Sequence, residues 1–293
     1  MSGQPALPEI PGVTHRFIEV NGLRVHLAEA GQGEPLVLLH GWPQHWWMWR
    51  RVIPGLAKHY RVICPDLRGF GWSEAPALGY DKENLASDLL ALLDALQLPR
   101  VRLMAHDWGG WVGFLACIRA PERFHRYVAL NIPHPFQHRN PRRLKDLARF
   151  WYQAYIALPF IGTRSVGSRG GIAETILRRA YVKRKLTDEE VETFAAVLRV
   201  PERARASTAL YRTFLLRELP ALQRGRYRKA RLETPALLLF GRRDAAIPVS
   251  MLGGHEDNAA DLRVELVDDA GHFVAEESPE IVARRALEFF GAA

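Results

Sequence analysis

The chain has little of what would carry it into a membrane, out of the cell or around a metal. It has only 2 cysteines in 293 residues, Cys64 and Cys117, both in apolar stretches. Two thiols cannot form a disulfide framework, and their setting indicates buried core groups in a reducing compartment. No apolar run approaches the roughly 18 residues that a spanning helix needs. The start lacks a basic-then-apolar leader. The sequence therefore predicts a cytoplasmic protein with no membrane partner. Internal repeats and low-complexity linkers are also missing. Lysine is scarce, with 6 Lys against 34 Arg. The net charge of +8 is uneven, because residues 134–231 hold 22 Lys+Arg but only 8 Asp+Glu. Those basic residues follow amphipathic helical patterns without a nucleic-acid motif. They indicate a solvated basic surface and no nucleic-acid partner.

What remains is a well-supplied core, with 48% hydrophobic and 25% charged residues. Short apolar runs at 14–20, 23–28, 35–39, 61–64, 101–105, 127–131, 236–240 and 263–267 read as strands. The first two flank Asn21-Gly22, a strong hairpin signal. Helical patterns lie between later runs, at 47–58, 82–97, 111–119 and 281–290. This alternation predicts an α/β fold: a mostly parallel eight-stranded sheet with helices on both faces. It stops at Pro133. Helix-like segments follow at 142–157, 173–181, 188–197 and 201–216, the third opened by the capping pattern Thr187-Asp188-Glu189-Glu190. The expected organisation is a core at 1–133, a helical cap at 134–220 and the rest of the core at 221–293. Residues 1–12 are Pro-rich and read as a loosely held arm.

One more absence points to chemistry. The run Val101–His106 leads into Asp107-Trp108-Gly109-Gly110. Such a strand-to-helix elbow, with small residues around its centre, exposes a nucleophile above a parallel sheet, and it usually carries serine. Here the position holds Asp107. A carboxylate makes a poor acyl acceptor, because the product is an anhydride. It can displace at a saturated carbon and leave an alkyl ester. That restricts substrates to molecules such as epoxides or alkyl halides.

Two later motifs supply the partners this ester would need. Asp244 follows the strand-like run that ends in Phe240-Gly241, and His272 lies in Asp269-Ala270-Gly271-His272-Phe273. The order nucleophile, acid, histidine suits a site at the carboxyl ends of the strands. The backbone N–H groups of Trp42 and Trp108 are candidates for an oxyanion hole, with Pro43 fixing the turn beside Trp42. Asp66 and Arg68 read as an ion pair holding the loop after the fourth run.

Together, His40-Gly41-Trp42-Pro43, the loop 66–73, His106-Asp107-Trp108-Gly109-Gly110, Asp244 and Gly271-His272-Phe273 resemble the α/β-hydrolase-fold epoxide hydrolases. The resemblance spans residues 14–290. Haloalkane and fluoroacetate dehalogenases share these core motifs. The former usually carry Asn where this chain has Trp42. The latter carry arginines around the nucleophile, where this chain has Trp108 and Trp111. The resemblance also implies two cap tyrosines that hold and protonate the epoxide oxygen, matched here by Tyr152 and Tyr211. The Trp151-Tyr152 pair is also similar to a fluoride-binding pair of the fluoroacetate enzymes.

The expectation is an epoxide hydrolase. Asp107, His272, Asp244, Tyr152 and Tyr211 are its catalytic residues, and His40, Trp111, Phe136, Trp151 and Phe214 line an aromatic pocket. It implies a small hydrophobic epoxide and water as partners, no cofactor, no metal, and a monomer or homodimer. A dehalogenase with the same triad is the alternative. A non-enzymatic ligand receptor on the same fold is the other, although receptors of that kind often lose a catalytic residue and this chain keeps all three.

Overall fold

The computed structural model describes residues 4–136 and 149–291. Strands β1 (Thr14–Val20), β2 (Leu23–Ala30), β3 (Pro35–Leu39), β4 (Arg61–Pro65), β5 (Val101–His106), β6 (Phe124–Leu130), β7 (Ala236–Gly241) and β8 (Leu262–Val267) form one sheet in the order β1-β2-β4-β3-β5-β6-β7-β8. β1, β2 and β4 pair antiparallel, and every pairing from β4 through β3 to β8 is parallel. The hairpin turns at Asn21 and Gly22, both at positive φ, which matches the right-handed twist of the flanking strands. The central strands read as continuous apolar runs because helices cover both faces. Leu36, Val37, Leu38 and Leu39 of β3 are all fully buried.

The helices are α1 (Ile53–Leu56), α2 (Lys82–Ala95), α3 (Asp107–Arg119), α4 (Trp151–Ala157), α5 (Ile161–Val166), α6 (Ile172–Arg179), α7 (Asp188–Leu198), α8 (Pro201–Thr213), α9 (Leu219–Gln223), α10 (Val274–Glu277) and α11 (Pro279–Phe290). A π-helical turn, Phe214–Glu218, joins α8 to α9. The predicted helix at 47–58 is broken. A 3-10 turn covers Trp46–Trp49, and α1 restarts with Pro54 in its first turn. Proline has no N–H to continue a preceding helix.

Between β6 and β7 the described residues are helical, from α4 to α9. The residues 142–148 of the first expected cap helix lie outside the described residues. α9 runs across the expected cap boundary at 220, and α5 has no counterpart among the expected helices. Thr187 opens α7 with a complete capping box, its hydroxyl accepting from Glu190 N and the Glu190 carboxylate accepting from Thr187 N. The described part of the amino-terminal arm, residues 4–12, is docked, contrary to its reading as loosely held. Leu7 and Ile10 pack on the core, and the Trp72 indole donates to the Pro5 carbonyl at 2.8 Å. Both cysteines are buried and unpaired. Among the described residues no helix is long and apolar enough to cross a membrane.

Candidate active site

Asp107 sits where β5 ends and α3 begins, at φ 50°. A non-glycine residue in this region is strained, and the strain persists because the surroundings allow nothing else. A Cβ on Gly41 would lie 2.4 Å from the Asp107 Cβ, and one on Gly109 would lie 2.3 Å from the His40 carbonyl oxygen. Glycine is required at both places, because the Asp107 side chain fills the space beside Gly41 and the backbone of Leu39 and His40 passes beside Gly109. The elbow lifts the carboxylate above the sheet, at the positive end of the α3 dipole.

Three groups meet there. The His272 Nδ1 lies 2.8 Å from Asp244 Oδ2, and its Nε2 lies 3.5 Å from Asp107 Oδ2. Asp244 enters from the loop after β7 and His272 from the loop after β8. Its other oxygen, Oδ1, accepts from the backbone N–H groups of Ala246 and Ile247 at 2.8 and 2.9 Å. The backbone N–H groups of the two expected donors both reach the Asp107 carboxylate. Trp42 N–H donates to Asp107 Oδ1 at 3.0 Å, and the Trp108 N–H is a further donor to this carboxylate.

The electrostatics follow from this arrangement. Burial alone would lower the His272 pKa. The Asp244 and Asp107 carboxylates outweigh it and lift the value to about 10. Burial would raise the Asp107 pKa, but His272 holds it below the usual value. The resting site is therefore a carboxylate–imidazolium–carboxylate chain. Burial, with the Asp107 charge adding to it, raises the pKa of both Tyr152 and Tyr211, so both phenols stay protonated at neutral pH.

The expected tyrosines lie together. Tyr211, on α8, is fully buried and meets the Trp42 ring edge-on at 5.2 Å and the Trp108 ring at 5.7 Å. Tyr152, on α4, meets Tyr211 at 6.1 Å. Trp42, Trp108, Trp111 and Phe136 share one buried apolar cluster with Tyr211, and Phe214 packs on it from the π turn. The Phe214 ring is 4.8 Å from Trp108 and 6.4 Å from Trp111.

Three expectations are corrected. Trp151 is 62% exposed and does not line this cluster. His40 is fully buried and turns both ring nitrogens to the backbone, Nδ1 toward Gly41 O and Nε2 toward Leu67 N–H, so it is scaffold and offers the pocket no polar atom. Asp66 does not pair with Arg68. It accepts from the His26 ring at 2.7 Å and from Trp46 N and Trp72 N at 2.9 Å each. Arg68 instead pairs with Asp88 at 2.6 Å.

Other groups were missed. Asn131, at the end of β6 with φ 44°, donates from Nδ2 to Asp244 Oδ2 at 2.8 Å and accepts from Gly241 N at 3.3 Å. Asn tolerates this backbone region better than most residues, so an Asn closing a buried strand was a usable signal. His106 Nε2 lies 2.8 Å from the His272 carbonyl oxygen, tying the elbow to the histidine loop. Its neighbour in sequence is Asp107, but its partner lies 166 residues away. No local pattern reveals such a contact.

A strained strand-to-helix elbow bearing Asp107, an acid after β7 and a histidine after β8, on an eight-stranded sheet with a helical insertion, define an α/β hydrolase. The α/β hydrolase fold family matches residues 34–279. The soluble epoxide hydrolase of Corynebacterium sp. (strain C12) is 33% identical, with 95% of this chain and 97% of that protein covered. Epoxide hydrolase 4 of Mus musculus is 28% identical over 92% of this chain and 77% of its own. The unliganded structure of the epoxide hydrolase CorEH superposes with a TM-score of 0.78 at 31% identity, covering 95% of this chain and 99% of that one. The chain belongs to the α/β-hydrolase-fold epoxide hydrolase family.

Proposed function

We propose that this protein hydrolyses epoxides to vicinal diols through an ester on Asp107. Asp107 Oδ1 is held by the Trp42 N–H, which leaves Oδ2 as the attacking oxygen. Oδ2 attacks one oxirane carbon from the side opposite the ring oxygen. The C–O ring bond breaks, and that oxygen takes a proton from Tyr152 or Tyr211. Water, losing a proton to His272 Nε2, then adds to the ester carbonyl carbon. The N–H groups of Trp42 and Trp108 stabilise the tetrahedral oxyanion. On collapse the imidazolium protonates the departing alkoxide and releases the diol, and the carboxylic acid left at Asp107 gives up its proton as the tyrosinate regains one, which restores the carboxylate. Asp244 holds the His272 tautomer and offsets the charge of its imidazolium form.

The observation that carries this reading is that two protonated cap phenols, one packed on Trp42 and Trp108 and the other on it, lie within electrostatic reach of a strained, ionised carboxylate. An alkoxide is a poor leaving group and needs a proton donor, whereas a halide does not. The linked rings of Trp42, Tyr211, Trp108, Phe214 and Trp111 favour neutral apolar or aryl epoxides. The test is a side-by-side assay with styrene oxide, 1-bromobutane and fluoroacetate. Diol from styrene oxide is expected. Halide release without any diol formation would replace this reading with a dehalogenase.

A further inference from the structure

Among the described residues one lysine is completely buried, and no step above uses it. Lys82 opens α2 in the core and is 0% exposed. Its ammonium donates to the Leu210 carbonyl at 3.0 Å and to Glu218 Oε2 at 2.8 Å. The same Glu218 carboxylate accepts from the Lys82 backbone N–H through Oε1 at 2.9 Å. The ammonium also lies 4.4 Å from the centre of the Trp108 ring and 5.1 Å from that of Phe214. Burying an ammonium is costly unless every donor is matched, and here two oxygens and two ring faces match it.

The partners' positions carry the argument. Leu210 and Glu218 bracket the junction where α8 gives way to the π turn, and Tyr211 directly follows Leu210. Trp108 directly follows Asp107. One side chain thus grips the core beside the attacking carboxylate and the cap beside the phenol. π turns are intrinsically poor hydrogen-bonding geometry and recur at functional sites. This one is held at its far end by the Glu218–Lys82 pair.

We propose that Lys82 is a positioning residue that latches the α8–π junction of the cap to the core and thereby sets Tyr211 over Asp107. The inference rests on Tyr211 being the proton donor of the proposed function. The latch acts on ester formation and leaves ester hydrolysis alone, since it touches neither His272 nor Asp244 and meets Trp108 at the indole ring, not at the backbone N–H of the oxyanion hole.

The test measures the single-turnover rate of ester formation from styrene oxide in three proteins. They are Lys82→Met/Glu218→Leu, Tyr211→Phe, and the combination of all three changes. Removing both charges together avoids stranding a buried one, which lets the protein fold. The paired change is expected to slow ester formation about ten-fold or more, as small misplacements of a reacting group do. Ester hydrolysis and the melting temperature should stay near the parent values. Because the latch acts through Tyr211, the triple variant should be no slower than Tyr211→Phe alone. Parent-rate ester formation in the paired variant, or effects that multiply in the triple variant, would overturn the latch. If Tyr211→Phe itself reacts at the parent rate, the donor assignment fails as well, and the two failures are told apart. Glu218→Gln provides a milder form of the same test. It keeps the side-chain volume and one acceptor oxygen, and it should slow the same step by a smaller factor. No slowing in Glu218→Gln together with parent-rate reaction in the paired variant overturns the proposal.

Discussion

His272 must be neutral to accept a proton from water, yet its resting pKa is lifted to about 10. Ester formation resolves this. The Asp107 carboxylate and the imidazolium attract each other across 3.5 Å. At an effective dielectric constant of about 20, that attraction is about 5 kcal/mol, enough to move a pKa by roughly 3.5. An ester carries no charge, so alkylation of Asp107 removes this attraction while Asp244 stays in place. The His272 pKa should then drop to roughly 7. The histidine is a cation while the carboxylate attacks and becomes a base once the ester exists. The assay mixes excess enzyme with styrene oxide, traps the ester by acid quench and follows its decay by mass at a series of pH values. The decay rate should rise with pH to a plateau, with a midpoint near roughly 7. Ester formation should show no such rise, because Asp107 is already ionised throughout. A midpoint near the resting value, or a decay rate indifferent to pH, would refute this reasoning.

Two further outcomes are expected. Tyr152→Phe and Tyr211→Phe should each slow ester formation roughly ten- to a thousand-fold, and the double change should nearly abolish it. The fold should survive because the rings remain, and parent-rate opening of styrene oxide in both single variants would make the tyrosines packing residues. Asp66→Asn should destabilise the protein by about 2 kcal/mol, since hydrogen bonding and the neighbouring histidines lower the Asp66 pKa from 3.8 to about 2 against the opposing effect of burial. A depressed carboxylate stabilises the fold above its unfolded pKa, and that contribution is lost as pH falls through the folded one. The difference in urea midpoint between parent and variant should therefore be full above about pH 4 and shrink below it; a constant difference would argue against the charge.

The sheet was legible because its strands announce themselves locally. β3 and β7 are unbroken apolar runs, and Asn21-Gly22 fixes a hairpin by its backbone needs alone. Asp107, Asp244 and His272 were legible because each ends a strand at the same edge of the sheet. Periodicity failed where proline interrupted it, as at Pro54, and where a helix was as short as α5. It failed again for buried polar groups whose partners are distant in sequence. Asp66 and Arg68 look like a pair two residues apart, but the structure gives Asp66 to His26 and Arg68 to Asp88. The burial of Lys82 has no local sign at its helix start, because Leu210 and Glu218 come 128 and 136 residues later. Trp151 shares an aromatic motif with Tyr152, but adjacent residues on a helix point to different sides, and only Tyr152 faces the cluster.

The central claim is that Asp107, and not water, attacks the epoxide. One turnover in ¹⁸O-labelled water with enzyme in excess tests it directly. The ester mechanism places the label in the Asp107 carboxylate and leaves the first diol unlabelled, because the oxygen added to the substrate comes from Asp107. Label in the first diol with none in Asp107 would show direct attack by water and contradict the account.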